Sequence, residues 1–242
     1  MTNSQPDQLF MMLRKPQLFL LHFAGGSINS FEFLSPLLKE FDIIPLELPG
    51  RGKRMKEPLL RDFDSAAWDI YKQILARVSN DFIIYGHSMG ASLSLRVTNL
   101  LEKNGWDPLY LVVSGNSGPG RTDDRNIHLL AHDEFREKLI ELEGTHDDVF
   151  ENKELFDFYE PILRADFELV ENKDLTDEPP VKAPIYAVMG TQEETVDEIL
   201  NWSKFTSSDF DYKLLEGGHF FIHKYPQKVA DIINKCYKSR FL

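Results

Sequence analysis

Phe82-Ile83-Ile84-Tyr85-Gly86-His87-Ser88-Met89-Gly90-Ala91-Ser92-Leu93-Ser94-Leu95 is the stretch on which the fold turns. Its first four residues are a short apolar run rich in β-branched and aromatic side chains, the composition of a buried strand. After a small-residue turn, Ala91, Leu93, Leu95, Val97, Leu100 and Leu101 continue with helical character. The turn has the form Gly-x-Ser-x-Gly. Glycine two residues either side of a serine lets neighbouring backbone approach where a Cβ would clash, so the serine can sit on a strained strand-to-helix corner. Such a corner exposes the Ser88 hydroxyl and aims the following N–H groups, at a helix N-terminus, towards developing negative charge. The pattern fits a nucleophile; the plainer alternative is a strand-turn-helix that happens to hold a serine.

Strands and helices alternate outward from this stretch. Gln17–Leu21 reads as a strand, with a short edge strand expected before it at Phe10 to Leu13. The small-residue loop His22-Phe23-Ala24-Gly25-Gly26-Ser27 leads to an expected helix around Ser30 to Phe41. Ile43 to Leu48 is the next strand, and Pro45 places it near a sheet edge or strand end. A helix from Asp64 to Val78 is expected, capped by Asp64, and Gly105 should stop the helix that follows the serine. Leu109–Ser114 is a further strand. The pattern resumes with a strand at Ala183–Met189, a helix at Val196–Phe205, a strand at Tyr212–Leu215 and a helix from Pro226 to about Tyr237. This order predicts an α/β fold, a mostly parallel sheet flanked by helices.

The alternation is interrupted from Asn126 to about Asn172, which is helical and acidic. The net charge of −12 is concentrated there: residues 121 to 180 hold 19 acidic and 7 basic side chains, and the remainder is balanced. We expect a separate unit, a lid over the C-terminal edge of the sheet where open α/β sheets bind ligands. Thr176-Asp177-Glu178-Pro179-Pro180 would be its hinge. The expected division is a core of 1–117 and 179–242 with a helical lid insertion at 118–178. The acidic balance argues against a nucleic-acid partner. No run of about 18 apolar residues suggests a membrane span. The polar N-terminus and the single cysteine, Cys236, argue for a cytoplasmic protein without disulfides or a cysteine metal cage. Monomer is the default expectation.

A serine hydroxyl needs a base to take its proton, and the base needs a third group to hold its tautomer. Of the seven histidines, His219 in Glu216-Gly217-Gly218-His219-Phe220 follows the last strand on a glycine-permitted loop and is the expected base. His87 should pack beneath the serine turn, His223 is a weaker alternative base, and His22 shapes the pocket. His128, His132 and His146 are expected to be solvated side chains with no metal-ligand spacing. The acid should follow the strand ending near Met189. Glu193 is the first candidate there, then Glu194, then Asp197; capping of the next helix is the competing role for the glutamates. Backbone N–H groups of Met89 and of Ala24, or else Phe23, would form the oxyanion hole.

With these motifs placed, the chain resembles a type II thioesterase, one of the stand-alone α/β-hydrolases that accompany nonribosomal peptide and polyketide synthases. His22-Phe23-Ala24-Gly25-Gly26-Ser27, with Phe31 or Phe33, is similar to that family's Pro-Phe-Ala-Gly-Gly segment. Leu48-Pro49-Gly50-Arg51-Gly52-Lys53-Arg54 with Glu57-Pro58 matches its Pro-Gly-Arg-Gly segment. Leu163-Arg164-Ala165-Asp166-Phe167 matches a lid motif, and Glu216 to Phe220 matches the histidine loop. The chain departs from the family at Glu193, where an aspartate is usual, and at His22, where a proline is usual. The resemblance implies an α/β-hydrolase fold and hydrolysis of acyl thioesters on the phosphopantetheine arm of acyl or peptidyl carrier proteins, without a metal or organic cofactor. Because carrier proteins are typically acidic and would be repelled by the acidic lid, docking is expected through apolar lid residues such as Phe150, Leu155, Phe156, Phe158 and Tyr159, or past the neutral core; packing of the lid on the sheet is the competing role for these side chains. The alternatives are a medium-chain acyl-carrier thioesterase of fatty acid synthesis, an esterase for small free esters, and a catalytically silent carrier-binding module.

Overall fold

Every residue of β1 (Gln17–Leu21), β3 (Phe82–His87) and β5 (Ile185–Gly190) is buried. Strands covered on both faces read as continuous apolar runs, which is why periodicity alone marked them as strands without showing an outer face. The computed structural model describes residues 15–79, 81–120, 126–142 and 152–241. With β2 (Asp42–Leu46), β4 (Tyr110–Ser114) and β6 (Phe210–Leu215), the strands form one six-stranded sheet in the order β2-β1-β3-β4-β5-β6. All pairings are parallel, as expected from the alternation. The expected strand at Phe10 to Leu13 lies outside the described residues.

Helices α1 (Phe63–Leu75) and α2 (Met89–Lys103) cover one face, where Phe19, Leu21, Ile84 and Val113 meet Ala67, Ile70, Leu93 and Val97. The other face holds Leu18, Leu20, Ile83 and Tyr85 against Leu34, Leu38 and helix α6 (Pro226–Lys238), with α5 (Phe221–Lys224) preceding it. Cys236 on α6 packs in this second core, and burial pushes its thiol up to about 12. Pro45 lies on edge strand β2, as its missing N–H requires. Gly105 follows α2 with φ +81°, the conformation of a glycine helix stop.

Three local expectations are corrected. The segment after the β1 loop is a 3-10 stretch at Glu32–Leu37 rather than a helix over Ser30 to Phe41, because Pro36 within it cannot donate to a continuing α-helical ladder. Helix α1 is capped by Asp62, whose carboxylate accepts from Ser65 N–H; Asp64 instead pairs with Arg96 and Lys173. Val196–Phe205 is wound as 3-10 turns. Its buried residues Ile199, Trp202 and Phe205 recur every third position, the period that stacks side chains on one face of a 3-10 helix.

Between β4 and β5 lie a 3-10 turn at Ile127–Leu129, α3 (His132–Glu141) and α4 (Lys153–Glu171), all helical as expected among the described residues. Ile127, Phe135, Leu139, Phe156 and Leu163 form a small apolar cluster of their own. Acidic groups of this region pair with basic groups of the sheet domain: Asp166 with Arg51, Glu168 with Arg61, Glu178 with Arg96. The concentrated negative charge is thus partly met across the seam. Glu178, in the expected hinge, is buried and also bonds Asn99. Two histidines here are not loosely solvated, because each faces a carboxylate of α4. His128 is bonded to Glu171, and His132 to Glu160. His132, Asp157 and Glu160 do come together, a convergence invisible in sequence spacing, but Lys153 and Arg164 already engage the two carboxylates. His146 lies outside the described residues.

Candidate active site

The strand order reverses direction between β1 and β3, so the loops after these two strands adjoin at the C-terminal edge of the sheet, the usual ligand position in open α/β sheets. Ser88 sits between β3 and α2 with φ +57° and ψ −118°. A serine pays of order 1–3 kcal/mol for such a backbone. The corner is held by Ser88 N–H donating to Ser114 O at 2.8 Å and by Ala91 N–H donating to Ser88 O at 2.9 Å. A Cβ on Gly86 would lie 2.3 Å from Gly90 O, and one on Gly90 2.3 Å from Leu21 O. Both glycines are therefore required by close backbone approach, as the Gly-x-Ser-x-Gly spacing suggested.

His219 Nε2 lies 2.9 Å from Ser88 Oγ, and its Nδ1 lies 2.8 Å from Glu193 Oε2. An ionised carboxylate only accepts, so Nδ1 carries the proton and Nε2 is left to accept from the serine hydroxyl. Glu193 folds back over its own turn: its Oε1 accepts the Gly190 N–H at 2.7 Å. A Cβ on Gly190 would meet Gly217 O and Gly218 O at 2.4 Å, so glycine there lets the loop after β6 close on the end of β5. This approach brings Glu193 and His219 together. The side chains of His219 and Glu193 are 27% and 8% exposed, leaving the imidazole open to the cavity and the carboxylate covered. The carboxylate at His219 Nδ1 is that of Glu193; Glu194 is exposed and borders the cavity, and Asp197 is exposed in the 3-10 stretch that follows.

His87 is completely buried beneath the corner, its Nδ1 2.8 Å from Ser114 Oγ, with ring contacts to His219, Phe23 and Phe220. It packs rather than reaching Ser88, as expected. His223 stacks on Phe220 and contacts Phe33, away from the serine hydroxyl.

The β1 loop contains a tight turn closed by Gly26 N–H donating to Phe23 O at 2.9 Å, with Gly25 at φ +74°. His22, buried, donates from Nδ1 to Phe23 O at 2.8 Å and accepts Leu48 N–H at Nε2. These bonds give it a place where the resembled family has proline. Two residues quoted above only as motif members acquire a position here. Arg51 and Asp166 form a buried, two-pronged ion pair, and Asp166 Oδ2 also accepts the Gly25 N–H at 2.7 Å. The Pro-Gly-Arg-Gly loop presents Arg51 because buried Glu47 accepts from Ile28 N–H and Lys53 N–H, filling the space that a side chain at Gly52 would need.

Burial, then the neighbouring Arg51 charge, lowers the His22 pKa to about 4, and burial lowers His87 well below its usual value. Both rings stay neutral in the folded protein at pH values where the unfolded chain protonates them. Their contribution to stability is therefore complete above about pH 6.5 and declines as pH falls below it, that of His22 being lost as pH falls through about 4. For His22 the loss is about 3 kcal/mol. Urea denaturation at steps from pH 7 to pH 4 should show the midpoint falling, and His22→Gln should flatten that fall by up to one proton per molecule. An unchanged slope would assign the whole dependence to other groups.

Ser88, Met89, Ala24, Phe23, His219 and Glu193 all border one cavity of about 610 Å³. Leu139, Leu142, Leu163 and Phe167 of α3 and α4 and their flanks complete its wall. A hydroxyl, an imidazole and a carboxylate in series beside such a cavity can transfer an acyl group through a covalent intermediate. No residue of this arrangement requires a metal to complete it, and among the described residues no helix is long and apolar enough to cross a membrane.

Residues 16–237 match the family profile described as a thioesterase domain. The linear gramicidin dehydrogenase LgrE of Brevibacillus parabrevis is 32% identical over 230 residues, which span 92% of this chain and 88% of that protein. The gramicidin S biosynthesis protein GrsT of Aneurinibacillus migulanus is 28% identical, over 91% of this chain and 88% of its own. The solved structure of the type II thioesterase BorB, from the borrelidin biosynthetic cluster, superposes with a TM-score of 0.81 at 30% identity, covering 91% of this chain and 92% of that one. The match over residues 16–237, joined to a shared architecture and whole-chain similarity, means that the chain belongs to the thioesterase family, as a type II thioesterase of α/β-hydrolase fold.

Proposed function

We propose that Ser88 is the nucleophile, His219 the general base and Glu193 the carboxylate that orients it, in hydrolysis of acyl thioesters carried on the phosphopantetheine arm of a carrier protein. The observation that carries this is the unbroken series Glu193–His219–Ser88 opening on the cavity. Ser88 Oγ attacks the thioester carbonyl as His219 Nε2 takes its proton. The tetrahedral oxygen is held by the N–H groups of Met89 and Ala24, two residues that border the cavity with Ser88. The C–S bond breaks and the thiol leaves with the proton from His219; a thiolate leaves readily, so little protonation is needed. Water, deprotonated by His219, then attacks the acyl-serine, and Ser88 regains its proton as the acid departs.

Residues 118–178 act in this reading as a lid on a core of 1–117 and 179–242, supported by the apolar side chains that α3, α4 and their flanks contribute to the cavity. The carrier would dock beside the lid, where Phe158 is half exposed and Leu155 and Tyr159 are partly so. Phe156 is withdrawn from that role because it fills the lid's own cluster, and Phe150 lies outside the described residues. The names of the gramicidin S and borrelidin relatives support a nonribosomal peptide or polyketide synthase as the setting, with removal of stalled acyl groups as the task. The word dehydrogenase in one relative's name describes that protein; the side chains assembled here support acyl transfer. We take the protein to act as a monomer and place it in the cytoplasm with the carriers.

The size of the cavity favours one second reading, a preference for medium acyl chains. Hydrolysis of acetyl and longer acyl groups on a single phosphopantetheinylated carrier, beside a matched oxygen ester, separates these. Acetyl should be released at least as fast as chains of roughly eight to twelve carbons, and the thioester at least about tenfold faster than the oxygen ester. A tenfold or greater advantage, roughly, for the medium chains would transfer the assignment to fatty acid synthesis.

A further inference from the structure

The Arg51–Asp166 pair needs an explanation beyond stability. The two side chains are 4% and 0% exposed, and a buried ion pair gives little net stabilisation relative to well-packed apolar residues of similar size. What it provides is direction. Arg51 engages both carboxylate oxygens at 2.5 and 2.7 Å, which leaves Asp166 Oδ2 aimed at a single backbone group, the Gly25 N–H. That N–H belongs to the central peptide of the Phe23–Gly26 turn. Turns of types I and II differ by a flip of this peptide, and glycine at the third position makes both accessible. At φ +74°, Gly25 holds the type II form. Arg51 also reaches the far end of the turn, at Gly26 O. From the same helix as Asp166, Leu163 closes on Gly25 so tightly that a Cβ there would lie 2.5 Å from Leu163 Cδ2.

We propose that Asp166, oriented by Arg51, is the positioning residue of the oxyanion loop: from helix α4 it holds the Gly25 N–H while Arg51 holds Gly26 O, and this anchors the Phe23–Gly26 turn that carries the Ala24 N–H to the cavity wall. The lid helix is then part of the catalytic apparatus, and α4 must be seated for the oxyanion hole to be complete. The inference rests on the proposed role of Ala24 and adds a residue that touches neither substrate nor triad.

The test uses two variants of the full chain. Asp166→Asn keeps a weaker acceptor, and the double variant Arg51→Met/Asp166→Leu replaces the pair by apolar side chains of similar size, leaving no buried charge unpaired. Each is assayed for urea midpoint, for kcat and KM on an acetyl carrier, and for binding of two probes. One is an acyl trifluoromethyl ketone, to which Ser88 adds to give a tetrahedral oxyanion; the other is a thioether that cannot be attacked. The expected result for the double variant is a wild-type-like midpoint, kcat lowered about 10²-fold with KM little changed, and ketone affinity lowered by the same factor while thioether affinity holds. Asp166→Asn should fall between the double variant and the wild type. The inference is overturned if a folded variant keeps wild-type kcat and ketone affinity, or if ketone and thioether affinities fall together. If Asp166→Asn fails to fold, the double variant decides alone; if the double variant fails to fold, the pair is structural and the inference is lost. A wild type that neither turns over nor binds the ketone would instead bring down the hydrolase assignment.

Discussion

Ser88→Ala is expected to abolish thioester hydrolysis, lowering kcat by about 10⁶-fold, and His219→Ala is expected to do the same. The two groups act as one unit, so the double variant should be no slower than either single one. The size follows from the geometry: the Ser88 hydroxyl lies 2.9 Å from His219 Nε2, so removing either side chain removes the proton transfer that would activate the proposed nucleophile. Alanine must adopt the backbone that serine holds at φ +57°, so the fold and the urea midpoint should change little. Intact-mass analysis after incubation with a fluorophosphonate gives an independent readout. The wild type should gain one label and Ser88→Ala none; an unlabelled wild type would support the silent carrier-binding module.

Glu193→Ala should lower kcat by about 10²- to 10⁴-fold without abolishing it, because the nucleophile, base and oxyanion donors survive. Glu193→Gln should be similarly impaired, since an amide can donate to Nδ1 and favour the tautomer that cannot take the serine proton. Asp197→Ala, exposed in the 3-10 stretch that follows, should stay within about threefold of wild type, as surface positions generally do. Full activity in Glu193→Ala would return the acid role to Glu194 or Asp197. Glutamate in place of the usual aspartate is accommodated locally. Its extra methylene lets one oxygen return to Gly190 N–H at 2.7 Å while the other reaches His219, so the carboxylate is fixed at both ends. A shorter side chain on this backbone would have to give up one of those bonds.

Much of this arrangement was legible along the chain, for a physical reason. Fully buried parallel strands appear as apolar runs, amphipathic helices as spaced apolar residues, and glycines where backbone must approach backbone; each signal is local. Gly86 and Gly90 therefore announced the serine corner, Gly217 and Gly218 the histidine loop, and the concentrated acidic residues the helical insertion. What lay beyond local pattern was decided by how segments meet. The carboxylate paired with His219 depends on the closeness of the β5 and β6 ends across Gly190. Asp166 and Arg51, separated by 115 positions, acquire a shared partner in Gly25 only when α4 packs on the β1 loop. The corrections have the same origin: Asp62 rather than Asp64 caps α1 because Asp64 is drawn to Arg96 and Lys173, and His128 and His132 are engaged because α4 brings Glu171 and Glu160 to them. Sequence by itself determined the elements, their order and the chemistry of the exposed corner; the tertiary structure alone decided which charges face each other, because electrostatic and hydrogen-bond partners are chosen by distance in space and not by distance along the chain.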